Sequence, residues 1–589
     1  MGKIIDILLF ASLFFVIGCN NPSNGDMLTS PKGSADGDAI TPPSIDLVNL
    51  VLKLDTTGVK SKAAGDIVQK SSGNYLLIID RALNDTLSHI ALNTNEAIAY
   101  IEYQLNSDSG SVSFGESDPT EIYLEGTLAY GDNTLVLTVT STEGAVETYT
   151  IEIVKADYAS AELTGMTLSL NSSQTKSWKN DFVEVVASSS LTFYTTGVAY
   201  SRDEKLAAVS VQTAELVRSI EYELDDLVVG MVTEPIGKTV STSLLNVDLV
   251  DTSSRKGVRN FKVTTTALDG TTKETLLFKI IFFEMANIPS GSFIIDKRAE
   301  ASPSPAPVYD PDDSNLITMG ITRPYKIGAT EMTRDVWYAL MGKMPSGISV
   351  GGSFDEMPLG GINWYDAIIF CNKLSIVAGL APVYTVTGVD FSGNVTTPTT
   401  VESKDLGNPW NNVTWEFETN GYRLPTEMEW MWAAMGADYE NQGMLNTAGY
   451  QKAYAGDPVG DNYNAATNGY GAYGWFNTTT PKEVRHVAGK TPNELGLYDM
   501  SGNVFEWVWD WYENHGTKDI SADEYYSNTG ENDYKGIPDY FRTDIGIRRM
   551  VKGGSFNYGT DKGEIRNRGQ FEVTAKETQL GFRVVCTNN

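Results

Sequence analysis

The sequence predicts a multidomain chain, with all-β modules first and then a larger domain that mixes helices and strands. Three observations carry this. The chain has 589 residues, too many for one core, so three or four domains are expected. Period-two apolar alternation with glycine-containing turns fills 71–156 and returns at 260–283. Beyond residue 286 the signals change to helix starts, at Thr333 and at Thr426 with Glu429 three residues on.

The first eighteen residues read as a secretory leader: Lys3, then an apolar run from Ile7 to Ile17. Asp6 beside the run is unusual. The run is too short to span a bilayer as a stable helix. It ends Val-Ile-Gly-Cys at 16–19, which resembles a bacterial lipobox. That resemblance implies cleavage before Cys19 and lipid on its thiol and new amino group; several acyl chains would then hold the protein on a membrane. The plain alternative is an ordinary leader with a chance cysteine. Residues 19–43 are rich in Asn, Ser, Gly, Asp and Pro and read as a flexible tether.

The β region is expected to hold one module at 44–156 and a second at 157–285. Residues 47–54 suit a first strand. In the clearest hairpin Leu135, Leu137 and Val139 share one face. After a turn at 141–144, Tyr149, Ile151 and Ile153 keep the period of two. The run from Asn260, through Asp269-Gly270, to Phe283 repeats the pattern of 133–154. Both resemble the β-sandwich of bacterial cadherin-like modules, which implies spacer or adhesion units, and neither carries a catalytic constellation.

Composition excludes several functions. A net charge of −31 would repel phosphates, so nucleic acid is not an expected partner. The cysteines are Cys19, Cys371 and Cys586, and the histidines His89, His486 and His515. So few, so scattered, give no disulfide scaffold, no cysteine-rich zinc site and no identifiable Ser-His-Asp set. Cys371 falls on an apolar helical face with Ala367, Phe370 and Leu374, and Cys586 follows Phe582 and Val584 in a closing strand. Both read as core thiols, and a bond between them stays open.

The last half carries several motifs in order. Residues 327–337 read as a strand entering a helix, with Thr333 as N-cap and Gly342 past its end. A second helix follows 362–375. Gly-Tyr-Arg-Leu-Pro-Thr-Glu-Met-Glu-Trp stands at 421–430, its Thr426 and Glu429 forming a capping box. Gly-Leu-Tyr-Asp-Met-Ser-Gly-Asn-Val-Phe-Glu-Trp stands at 496–507, Gly-Gly-Ser-Phe at 553–556 and Gly-Phe-Arg-Val-Val at 581–585. Together these resemble the formylglycine-generating enzymes, or sulfatase-modifying factors, over 286–589. The resemblance implies an α+β domain of C-type lectin-like fold with long loops, expected at 385–420 and 436–485.

That family oxidises a sulfatase cysteine with two cysteines that hold copper. At the matching positions this chain has Tyr558 and Gly563. Neither is a soft ligand, so no copper is expected. The family's structural calcium site maps onto Asp499 and Glu506 side chains with Gly502 and Val504 carbonyls, usually with asparagine where Asp499 stands. The alternative is a turn whose carboxylates bond backbone amides. Related surface proteins vary their ligand-binding residues between the last two motifs. Here that stretch includes Asn557, Tyr558, Arg566 and Arg568, polar enough for a protein or glycan ligand, unless the arginines merely pair with nearby carboxylates. The expectation is a lipid-anchored bacterial envelope protein, on the outer membrane or surface rather than the inner membrane, with a binding head. An enzyme acting by a non-cysteine route and a purely structural envelope component are the alternatives.

Overall fold

The computed structural model describes residues 44–587 except 55–57, 81–85, 114–120, 129–130, 157–158, 199–203, 234–240, 250–256, 297–315, 392–407, 417–418, 438–453, 457–469, 479–480 and 513–547. The leader, Cys19, the tether, the proline-rich 301–307 and much of the two expected long loops lie outside the described residues. Among the described residues no helix is long and apolar enough to cross a membrane. The chain divides into two compact units, 1–79 with 84–154, and 80–83 with 155–589.

The first unit is built from β1 (Leu47–Leu54), β2 (Gly58–Ser61), β3 (Ile67–Ser71), β4 (Asn74–Asp80), β5 (Thr86–Thr94), β6 (Ile98–Leu105), β7 (Asp108–Ser113), β8 (Glu121–Thr127), β9 (Gly131–Ser141) and β10 (Val146–Ala156). They form two sheets, ordered β2-β1-β5-β8 and β3-β4-β10-β9-β6-β7. Alternation does what period two requires: Leu135, Leu137, Val139, Ile151 and Ile153 are all buried in one core with Leu50, Leu52 and Ile90.

The second unit opens with a copy: β11 (Leu163–Leu170), β12 (Thr175–Ser177), a single helical turn α1 (Trp178–Asp181), β13 (Val183–Ser188), β14 (Leu191–Gly197), β15 (Lys205–Thr213), β16 (Val217–Leu224), β17 (Leu227–Val232), β18 (Ser241–Asp248), β19 (Val258–Ala267) and β20 (Lys273–Ile281). Its sheets run β12-β11-β15-β18 and β13-β14-β20-β19-β16-β17, the first order with ten added to every number. The same turn recurs too. Asn106 and Asp225 both take positive φ, at 52° and 48°. Each bonds an asparagine two residues into a long strand, in β9 or β19: Asn106 donates to Asn133 at 3.0 Å, and Asp225 accepts from the Asn260 amide at 2.8 Å.

The remaining residues of this unit form a mixed α+β head. Its helices are α2 (Arg334–Met341), α3 (Trp364–Ala378) and α4 (Glu427–Ala434). Thr333 and Gly342 bound α2 as expected, and Gly342 is left-handed at φ 68°. Thr333 makes no capping bond to the helix; its hydroxyl donates to Asp335. The Thr426–Glu429 capping box is formed, and α3 carries another from Asn363 and Asp366. Two short four-stranded sheets and three two-stranded ones accompany the helices among the described residues. One four-stranded sheet joins 285–288, 325–328, 585–587 and 422–423, and the other joins 569–572, 548–552, 505–511 and 580–581. Cys371 and Cys586 are both buried and free, so no bond joins them; burial pushes the Cys371 thiol up, beyond ordinary reactivity.

The second sandwich packs on the head along α2 and α3. Thr195 on β14 donates its hydroxyl to the Ala339 carbonyl at 2.6 Å. The Gly257 amide, just before β19, donates to Asp335 at 2.9 Å. The Phe193 and Tyr338 rings lie 5.7 Å apart.

Candidate functional site

The loop 499–506 is held by tight backbone and by buried charge. Asp499 and Asn503 take positive φ, at 54° and 57°, a region that short polar residues tolerate best after glycine. Asn503 is spent on the turn: it accepts from the Arg485 amide and donates to Glu331 at 2.8 Å. Glu331 also accepts the Val504 amide at 2.9 Å. Glu506 meets Arg583 in a two-pronged pair at 2.6 Å and accepts from the Trp430 indole at 2.7 Å. Asp499 accepts the Ala488 amide at 2.7 Å through one oxygen. Its other oxygen is buried with no hydrogen-bond partner among the described residues.

Three buried carboxylates therefore surround one guanidinium, with half-buried Lys490 acting on Asp499 from the rim. Such an excess of negative charge is expensive in a low-dielectric interior. Burial pushes Asp499 up to about 6. Burial, then the charges of Asp499 and Glu506, hold Glu331 well above the carboxylate range. A bound proton or a cation relieves the same excess. The orphaned Asp499 oxygen fits a hard cation. Glu506 corrects the expected ligand set, because its oxygens are taken by Arg583 and Trp430. Among the described residues no three His, Cys, Asp or Glu side chains are grouped to hold a metal.

The second expected site is the loop after Gly553-Gly554. Asn557 is exposed. Tyr558 is half-buried, its ring edge-on to Phe505 at 5.1 Å. Arg566 pairs with Glu564 at 2.7 Å. Arg568 corrects its expected role as a ligand contact: it sits in a nearly dry pair with Glu427 at 2.7 Å, beside buried Lys552. Burial alone would raise Glu427, but Arg568 and Lys552 outweigh it and hold its carboxyl below the usual value. Lys552 also donates to the Asn567 carbonyl at 2.8 Å. These three charges fix the root of the loop. They leave Asn557 and part of Tyr558 as its outward face.

Position 563 is closed. A Cβ on Gly563 would lie 2.5 Å from the buried Phe476 ring at Cζ, closer than real contacts permit. The space a side chain would need is filled by that aromatic ring.

Residues 284–588 match the profile of the sulfatase-modifying factor enzyme 1-like domain. The chain belongs to the sulfatase-modifying factor family. The "Chaperone protein LppX" of Paenibacillus barcinonensis is 31% identical over 274 residues, covering 44% of this chain and 79% of that protein. The formylglycine-generating enzyme of Streptomyces coelicolor is 27% identical over 187 residues; the match covers 31% of this chain and 51% of the enzyme. Among solved structures, Treponema denticola variable protein 1 is 28% identical, covering 54% of this chain and 97% of that one, at a TM-score of 0.39.

Sequence alone does not assign two residues central to the site. Glu331 and Arg583 both lie inside the motifs that carry the family resemblance, in 327–337 and 581–585. Their partners leave no periodic trace, because Arg583 meets Glu506 77 residues away and Glu331 meets the Val504 amide 173 residues away.

Proposed function

We propose that this sulfatase-modifying factor relative is a non-catalytic, lipid-anchored envelope protein whose head binds a protein or glycan ligand. The observation that carries this reading is the pair of positions where the family's copper thiolates stand. Tyr558 packs on Phe505 at one, and Phe476 fills the space beside Gly563 at the other. Oxidation of a thiol by copper needs soft ligands; a phenol and a hydrogen supply none. The Paenibacillus relative is named a chaperone, which favours a protein ligand over a glycan. The outward face for it is Asn557 and the exposed part of Tyr558, with the Arg566–Glu564 pair at its side and Arg568 as support beneath.

Incubating the purified chain with copper, oxygen and a peptide bearing the sulfatase cysteine motif should leave that cysteine unchanged. A glycan and protein array should instead return a ligand whose binding falls at least tenfold in Tyr558→Ala with the fold intact. Turnover of the peptide cysteine would overturn the reading. Anchoring is tested separately by mass spectrometry of the native N-terminus, where an unmodified Cys19 would sink it.

Calcium is part of the same proposal, with Asp499 as its side-chain ligand and the Gly502 and Val504 carbonyls beside it. A ligand that binds only the folded state adds about 2.7 kcal/mol at a hundredfold excess over Kd. A calcium-dependent rise in melting temperature that Asp499→Ala abolishes is the expected result. An equal rise in that variant removes Asp499 from the site.

A further inference from the structure

Helix α2 is held at both ends by the second sandwich. At its start, the Gly257 amide donates to Asp335. A Cβ on Gly257 would fall on the Val336 methyl, so only glycine lets this backbone approach the helix. At its end, Thr195 supplies a hydroxyl to the Ala339 carbonyl, one of the last-turn acceptors a helix cannot satisfy itself. Gly342 then passes Val185 of β13, with room for no side chain: a Cβ there would lie 2.7 Å from Cγ1 of Val185.

Asp335 is the titratable part of this grip, and it is buried. One oxygen takes the Gly257 amide; the other takes the Val336 amide at 2.7 Å and the Thr333 hydroxyl. The charged groups facing it are Asp355, whose charge disfavours ionisation, and Lys279 on β20. Lys279 is itself largely buried, 5.1 Å above the Phe193 ring and 5.8 Å above the Tyr338 ring, and Asp225 acts on it from the far side. Arg334, next in the chain, turns away to the Pro358 and Ser349 carbonyls.

We propose that the second sandwich clamps the head through α2, and that protonation of Asp335 sets how tightly the clamp closes. The neutral carboxyl keeps its contact to the sandwich and weakens only the Val336 one, because a protonated oxygen is a poorer acceptor. One oxygen still accepts from Gly257, and the other, now protonated, donates to Thr333. The ionised carboxylate keeps the same contacts but is stranded away from water, and opening the interface hydrates it.

The sign follows from burial. Asp335 is pushed up to about 7 in the closed state, against about 3.9 for a hydrated aspartate. A raised pKa contributes stability that is complete below the hydrated value and is lost as pH rises through the closed-state value. The clamp therefore tightens in acid and is loosest above pH about 7. This is a device of the fold, independent of the ligand reading above.

Hydrogen exchange of the full chain by mass spectrometry, from pH 4.5 to 8.5 and corrected for intrinsic rates, tests it. Peptides covering 257–267 and 334–341 should lose protection by roughly tenfold per pH unit between pH 5 and 7, as a shift of this size dictates, and level off above. Asp335→Asn should flatten that profile. Thr195→Val should lower protection at every pH without changing the slope, and it keeps the test open if the asparagine variant fails to fold. A flat wild-type profile, an inflection far from pH 7, or a slope that survives in Asp335→Asn overturns the proposal.

Discussion

Strand β7 ends its sheet with Asp-Ser-Gly-Ser-Val-Ser, and β17, its counterpart in the second copy, with Leu-Val-Val-Gly-Met-Val. Both are the last strands of their sheets among the described residues, and edge strands invite pairing with other chains. The first copy defends its edge by composition. β7 runs in unbroken register against β6 and points Ser109 and Ser111 outward opposite Gln104 and Glu102. The second copy leaves Val228 and Met231 exposed, at 60% and 53%, but breaks register between Tyr222 and Glu223. A bulge twists an edge away from flat pairing. One topology thus carries two solutions: the copy without a polar edge has a bulged one.

The copies differ again where the second meets the head. Three residues before Asn133 stands Tyr130; three before Asn260 stands Gly257. The glycine is what admits Val336 and places an amide on Asp335. The second sandwich supports the head through a bare glycine at one position and Thr195 at another.

The largest expected effect breaks the comparison at its charges. Arg583 and Glu506 are fully buried, whereas the Lys60–Asp66 pair of the first copy is about 30% exposed. Removing one partner of a buried pair costs about 3–5 kcal/mol; an exposed pair is worth roughly 0–1 kcal/mol. Urea unfolding should show Arg583→Ala losing several kcal/mol and Lys60→Ala almost nothing. Equal losses would mean that the buried network is not what holds the head together.

Next in size is Gly257→Ala. The added methyl meets Val336 and must push the sandwich off α2, at about 1–3 kcal/mol for overpacking. The loss should appear in the unfolding of the second sandwich and head. Double substitution with Val336→Ala should recover part of it; no recovery would place the strain elsewhere.

The parts legible in the sequence are those with a local period. The hairpin of β9 and β10 followed from Leu135, Leu137 and Val139. The α4 capping box followed from Thr426 and Glu429, and the buried state of Cys371 from its helical neighbours. The second copy was legible only at β19 and β20. Most of its other strands, such as β13 and β17, carry weaker alternation and rely on neighbours already in place. The site was legible in residue type but not in pairing. Arg568 looked available for a ligand until Glu427, 141 residues away, claimed it, and Asp335 gave no sign that a sandwich amide would reach it.

The smallest effect on stability sharpens the comparison of edges. Surface substitutions away from special features change stability by within about ±0.5 kcal/mol, so exchanging outward residues between β7 and β17 should leave unfolding almost unchanged. Association should respond unequally. Ser109→Val with Ser111→Met gives β7 an apolar edge while its register stays continuous, and nothing else on the strand then blocks pairing. Concentration-dependent association in sedimentation velocity is expected. The reverse exchange, Val228→Ser with Met231→Ser, should change nothing, because the bulge already keeps β17 from pairing. If the β7 variant stays monomeric, composition was not its defence. If the wild type associates and the β17 serines abolish it, the bulge is no defence and those apolar residues form a contact surface.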